Sequence, residues 1–192
     1  MNMRKLAFLA AIALTFGVLA ALPGTAQALT IGDATNYLGS IGTPEPASPS
    51  DEENYINTLI AQAPGSSTTI GGHLYTRSMV SCGTCPAAVF NSRNTGPFVN
   101  NGDGTTNVNL GTGGFTYLLA KYDGPNGGSA VWNVQGLTGI VTIPLNGFPK
   151  YGLSHWSLFG PGGGNVPDGG TTVMLLGAAL GAIGMARRFL NR

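Results

Sequence analysis

Apolar positions along the chain fall into three regimes. Residues 6–21 and 171–186 are apolar stretches without a charged side chain, while the region between them holds short apolar runs broken by Gly, Asn and Pro. Within that middle region, Tyr55, Ile56, Leu59 and Ile60 recur at helical spacing. Ser50 precedes them as an N-cap, with Glu53 three residues later completing a capping box. Asp51, Glu52 and Glu53 place negative charge in the first turn, where the helix dipole favours it. Pro64-Gly65 ends the pattern, so a helix is predicted over 51–61.

From there on the period shortens towards two. Strands are predicted over 68–76, 87–91, 105–110, 115–122, 130–134, 139–145 and 153–159. Their separators carry turn formers such as Asp103-Gly104, Asp123-Gly124 and Asn146-Gly147. Short strands at this spacing predict a mainly β fold, an antiparallel β-sandwich of jelly-roll or lectin-like form with one short N-terminal helix. Val141, Ile143 and Leu145, Trp132 with Val134, and Trp156 with Leu158 are the expected core residues. No repeat of constant length is visible, which argues against a solenoid.

Charge alters this picture mainly by its scarcity: 9% of residues are charged. Between positions 29 and 170 there are four basic and eight acidic residues, leaving that stretch about four charges negative. Phosphate neutralisation drives nucleic-acid affinity, so a nucleic-acid partner is excluded.

The two apolar ends read as addresses. Arg4 and Lys5, the apolar run after them, the helix-breaking Pro23-Gly24 and the small-x-small site Ala26-Gln27-Ala28 together form a signal peptide over 1–28. Signal peptidase is the implied partner, cutting between Ala28 and Leu29. The β-rich extracytoplasmic domain then covers 29–159, followed by a Gly-rich linker over 160–165. At the other end, Val166, Pro167, Asp168, Gly169 and Gly170 precede the apolar run 171–186, read as a transmembrane helix. Arg187 and Arg188 open a basic stop over 187–192 that would keep this end in the cytoplasm. Proline holds Val166 out of the helical region, so the motif should be extended and accessible.

A short motif, an apolar span and an arginine cluster in this order resemble the C-terminal signals handled by exosortases, the PEP-CTERM class. Val166-Pro167-Asp168-Gly169-Gly170 is most similar to the VPDSG-CTERM variety, with Gly169 where serine is usual. The resemblance implies that residues 166–170 are recognised by an exosortase-like membrane cysteine protease or transpeptidase, which cleaves near the motif and passes the protein on. Tyr122-Asp123-Gly124-Pro125-Asn126, the Trp132 strand and residues 153–159 also resemble a recurring end of exported proteins of this class. That likeness carries no activity with it.

Candidate chemistry is thin. Cys82-Gly83-Thr84-Cys85 can be a redox pair, half a zinc site or a small structural disulfide. A zinc site needs two more ligands, and His73 and His155 are not at ligand spacing, so no metal and no cofactor is expected. An exported address favours the oxidised pair. His155, beside Ser154 and Ser157, lacks a nucleophile elbow or a spaced acid–base set, and packing in the last strand is its expected role. Asn101, Asp103 and Asp123 lack a full calcium-loop pattern and read as solvated turns.

The expected function is that of a non-enzymatic, membrane-processed protein of the cell surface or extracellular matrix. It would be anchored in the inner membrane before processing, with exopolysaccharide as a candidate partner. The alternative is a carbohydrate-binding, lectin-like module presenting Tyr75, Tyr117, Tyr122 and Tyr151; a third reading is a hydrolase.

Overall fold

The computed structural model describes residues 26–42, 48–148 and 150–160. Their elements run β1 (Gln27–Ala28), β2 (Tyr37–Gly42), α1 (Pro49–Ile60), β3 (Ser67–Ile70), β4 (His73–Arg77), β5 (Phe90–Asn94), β6 (Thr105–Gly111), β7 (Tyr117–Tyr122), β8 (Gly128–Asn133), β9 (Gly139–Pro144), β10 (Asn146–Gly147) and β11 (Tyr151–Phe159).

The expected antiparallel sandwich does not form. An open sheet of order β10-β11-β7-β8-β2-β4-β3, with β5 also paired to β11, carries a cover on each face. On one face lies α1, where Tyr55, Ile56 and Leu59 meet Leu38, Ile41, Tyr117, Leu119, Val131 and Phe159. On the other lies a small β1-β9-β6 sheet, bringing Val108, Leu110, Val141 and Ile143 against Leu118, Ala120, Tyr122 and Trp132. That small sheet is itself mixed, because β1 runs parallel to β9. The reason is legible in β7: Tyr117-Leu118-Leu119-Ala120-Lys121-Tyr122 is buried at every position. A strand without polar alternation needs cover on both faces, and a strand of a two-layer sandwich has it on only one.

Local signals explain most element ends. The predicted strand over 68–76 is a hairpin, β3 and β4, because Gly71 and Gly72 take positive φ at a two-residue turn between Ile70 and His73. The helix begins earlier than predicted. Its N-cap is Ser48, whose side chain accepts from the Asp51 amide while the Asp51 carboxylate accepts from the Ser48 amide. Pro49 supplies the first helical position, where its missing N–H costs nothing. We therefore expect Ser48→Ala to cost about 0.5–2 kcal/mol and Ser50→Ala to stay within roughly 0.5 kcal/mol. Urea titration of both variants checks this, and a larger loss for Ser50→Ala than for Ser48→Ala would place the cap at Ser50.

Of the expected core, Trp132, Val134, Val141, Ile143 and Leu158 are buried. Leu145 and Trp156 are only half-buried. The helix-facing side of β11 is the more covered one, and it presents His155, Ser157 and Phe159.

The expected transmembrane helix is also corrected. No helix among the described residues is long and apolar enough to cross a membrane. The assigned span 171–186 lies outside those residues, as do the signal-peptide residues before Ala26.

Candidate functional site

Helix α1 places a carboxylate inside the protein. Capping engages Asp51, and the next residue, Glu52, turns inward and is fully buried. Its Oε1 accepts from Nε2 of His155 at 2.5 Å, and its Oε2 meets Nη2 of Arg93 at 2.7 Å. Arg93 also donates from Nε to Ser157 Oγ at 3.2 Å. These partners come from adjacent strands: Arg93 on β5 lies opposite Ser157 on β11, two residues after His155. Burial by itself would raise the Glu52 carboxyl, but the hydrogen bonds from His155, Arg93 and Ser157 together outweigh it and hold the group below its ordinary value.

The same helix fastens the chain beside it. Glu53 Oε1 accepts from the Phe90 amide at 2.5 Å, and Asn57 Oδ1 from the Ala88 amide at 2.8 Å. Lys121, opposite His155 in the ladder, is buried along its stem and pairs with Asp123 at 3.5 Å.

Chemically, an ionised Glu52 keeps a proton on Nε2 of His155, leaving Nδ1 toward the Ser154 hydroxyl at 3.5 Å. A carboxylate thus does reach His155, which the sequence did not reveal. Glu52 looked like a solvated first-turn charge, and Arg93 carried no motif. The available signal was the buried face of α1, since Glu52 lies three and four residues before Tyr55 and Ile56.

The other sequence candidates are distributed elsewhere. Cys82 and Cys85 are joined as a disulfide with Cα atoms 5.4 Å apart. Asp103 closes its own turn, accepting from the Thr105 amide and hydroxyl, and Asn101 donates to Thr105 and Asn107. His73 stacks edge-on against Tyr55 and Tyr75. Among the described residues, no group of three or more His, Cys, Asp or Glu side chains could hold a metal ion. The tyrosines proposed for glycan contact are largely internal: Tyr75, Tyr117 and Tyr122 are buried, and Tyr151 is half-buried against the core. Burial pushes the Tyr117 phenol up to about 12, with Arg77 pulling the other way.

At the N-terminal address, Ala28 is exposed in β1, whereas Leu29 is buried and its amide donates to Thr142 O at 2.8 Å. At the other end the described chain stops at Gly160. There the Gly160 amide donates to Val89 O and the Phe159 carbonyl accepts from Thr116, both at 2.7 Å. Residues 166–170 and Arg187 and Arg188 lie outside the described residues.

Comparison with protein families matches the VPDSG-CTERM motif to residues 165–189. This chain carries a VPDSG-CTERM sorting motif. The motif is consistent with an exosortase-type sorting substrate and supports export and sorting to the cell surface. The VPDSG-CTERM match implies association with an exosortase-type system, and it begins five residues after the last described position. No curated protein and no solved structure matches the chain. The inner-membrane anchoring expected from sequence is corrected: no helix among the described residues could provide it, and its assigned span lies outside them.

Proposed function

We propose that residues 29–160 are the cargo of an exosortase-type system and that Val166, Pro167, Asp168, Gly169 and Gly170 are the peptide its enzyme recognises and cleaves. The observation that carries this reading is the VPDSG-CTERM match at 165–189, just beyond the last strand of the folded unit. A cysteine protease or transpeptidase needs an extended segment clear of the fold. The run Pro161-Gly162-Gly163-Gly164 has little side-chain surface to bury, a composition suited to a linker.

Signal peptidase is the proposed enzyme at the other end, cutting between Ala28 and Leu29. Leu29 docks through its side chain and its amide, so cutting would precede docking of this segment. The cargo reading assigns no hydrolytic chemistry to the polar groups inside the fold. His155 is bound to Glu52, and the Tyr117 and Tyr122 hydroxyls donate to the carbonyls of Pro86 and Pro144. Exopolysaccharide is retained as a proposed partner at the surface.

Replacing Pro167 and Asp168 together by alanine is expected to abolish trimming in a host that carries the sorting enzyme. The variant should persist at full-length mass while its folded domain keeps wild-type stability. Intact mass and surface fractionation, compared with wild type, check this. Wild-type trimming and delivery of the variant would reduce residues 166–170 to a linker and remove the proposed recognition.

A further inference from the structure

The Cys82–Cys85 bridge is poorly explained as a fastening. Only two residues separate its cysteines, so it constrains little of the unfolded chain. The loop around it is held by other means. Ser78 Oγ donates to Tyr37 O and accepts from the Val80 amide on one side. Pro86 O accepts from the Tyr117 hydroxyl, and the Ala88 amide donates to Asn57 on the other.

Beside the bridge sits a buried cation. Arg77, the last residue of β4, is 3% exposed. Its Nη1 donates to Leu38 O at 2.6 Å and its Nη2 reaches Cys82 Sγ at 3.6 Å, while Nε has no partner. No carboxylate among the described residues pairs with it. Burial opposes its charge, with only the Tyr117 oxygen acting the other way. A buried guanidinium without a counter-ion is costly, and the atom placed to become its counter-ion is Cys82 sulfur, once reduced.

The two cysteines differ in exposure. Cys82 is buried, Cys85 is half-exposed, and Gly83, Thr84 and Pro86 around them are exposed. An incoming thiolate therefore meets Cys85 first. A thiol that leaves with a low pKa leaves faster, and a neighbouring arginine lowers it.

We propose that Cys82–Cys85 is a thiol–disulfide exchange site whose substrates are small thiols or protein dithiols outside the cytoplasm, with Arg77 stabilising the Cys82 thiolate. The incoming thiolate attacks Cys85 Sγ and forms a mixed disulfide. The Cys82–Cys85 bond breaks, and its electron pair stays on Cys82 beside Arg77. A second thiolate then attacks the substrate sulfur of the mixed disulfide and releases Cys85 as thiolate. Two substrate thiols are oxidised to a disulfide and the protein pair is reduced by two electrons. A cleft of about 370 Å³, lined in part by Pro86, Ala87, Val89 and Phe115, opens from the residue after Cys85.

The test equilibrates the full chain with reduced and oxidised glutathione and follows thiolate absorbance of the reduced protein against pH. Wild type should show one thiolate forming at least one pKa unit below the ordinary cysteine value of about 8.5. Arg77→Gln should move the equilibrium about tenfold towards the disulfide, the size of one pKa unit. Arg77→Lys, which keeps the cation, should recover part of it. Acid-trapped intermediates should carry glutathione on Cys85. The proposal is overturned by a wild-type thiol titrating in the ordinary range, by Arg77→Gln matching wild type, or by glutathione trapped on Cys82. If Arg77→Gln does not fold, the wild-type titration and the trapped adduct decide alone.

Discussion

Replacing Glu52 by alanine is expected to destabilise the domain by about 3–5 kcal/mol, the usual loss when one partner of a buried ionic set is removed. That corresponds to a fall in melting temperature on the order of 10 °C or more. The cost arises from what stays behind. Arg93 keeps a charge 2.7 Å from where the carboxylate was, and His155 loses the acceptor of its Nε2–H. The triple replacement Glu52→Met, Arg93→Leu and His155→Leu removes the orphaned groups as well and should recover most of the loss. Thermal melts of the single and triple variants are the measurement. A triple variant as unstable as the single one would mean that the ionic set contributes through its own attraction, not through the penalty of breaking it.

The same carboxylate predicts a direction with pH. Its folded value lies below the ordinary one near 4.5, so the folded state binds this proton less readily than the unfolded state. The associated stability is fully present above the unfolded value and is lost as pH falls through the folded value. Glu52→Gln should flatten this acid limb, seen as a smaller change in urea midpoint between neutral and acidic buffer.

How far the sequence exposed this arrangement varied with the kind of signal. Periodicity found the helix because Tyr55, Ile56 and Leu59 repeat on one face. It found β6 and β9 because Val108 and Leu110, and Val141 and Ile143, alternate with polar neighbours. Apolar runs also placed β7 and β8, which are buried on both faces, but spacing did not reveal the layers that cover them. The polar cluster was hidden for a related reason. Glu52 and Arg93 are 41 positions apart, and only the packing of α1 against the paired strands β5 and β11 brings them together. The C-terminal address needed no tertiary contact to be legible, because a linear peptide is what is recognised.

Among the strands that sequence reasoning missed, the central β2 carries the last prediction. Tyr37-Leu38-Gly39-Ser40-Ile41-Gly42 has two glycines and follows a turn, which argues against a strand. In the fold it is central, pairing with β8 on one side and β4 on the other. Gly39 takes φ +145°, and an added Cβ there would stand 2.2 Å from the Thr76 carbonyl oxygen and 3.2 Å from a Leu59 methyl. The Thr76 carbonyl on β4 would have to shift, while the Leu59 methyl would need to give by only a few tenths of an ångström. Gly39→Ala should cost roughly 2–6 kcal/mol, combining strain of about 1–3 with overpacking of about 1–3. Gly32→Ala is the control. Its φ is +86° and nothing lies within 4 Å of the added carbon, so only the conformational part should appear. The difference between the two, read from urea midpoints, isolates the steric part. Equal losses would show that β2 tolerates a side chain at 39 and that its packing against β4 is looser than these distances require.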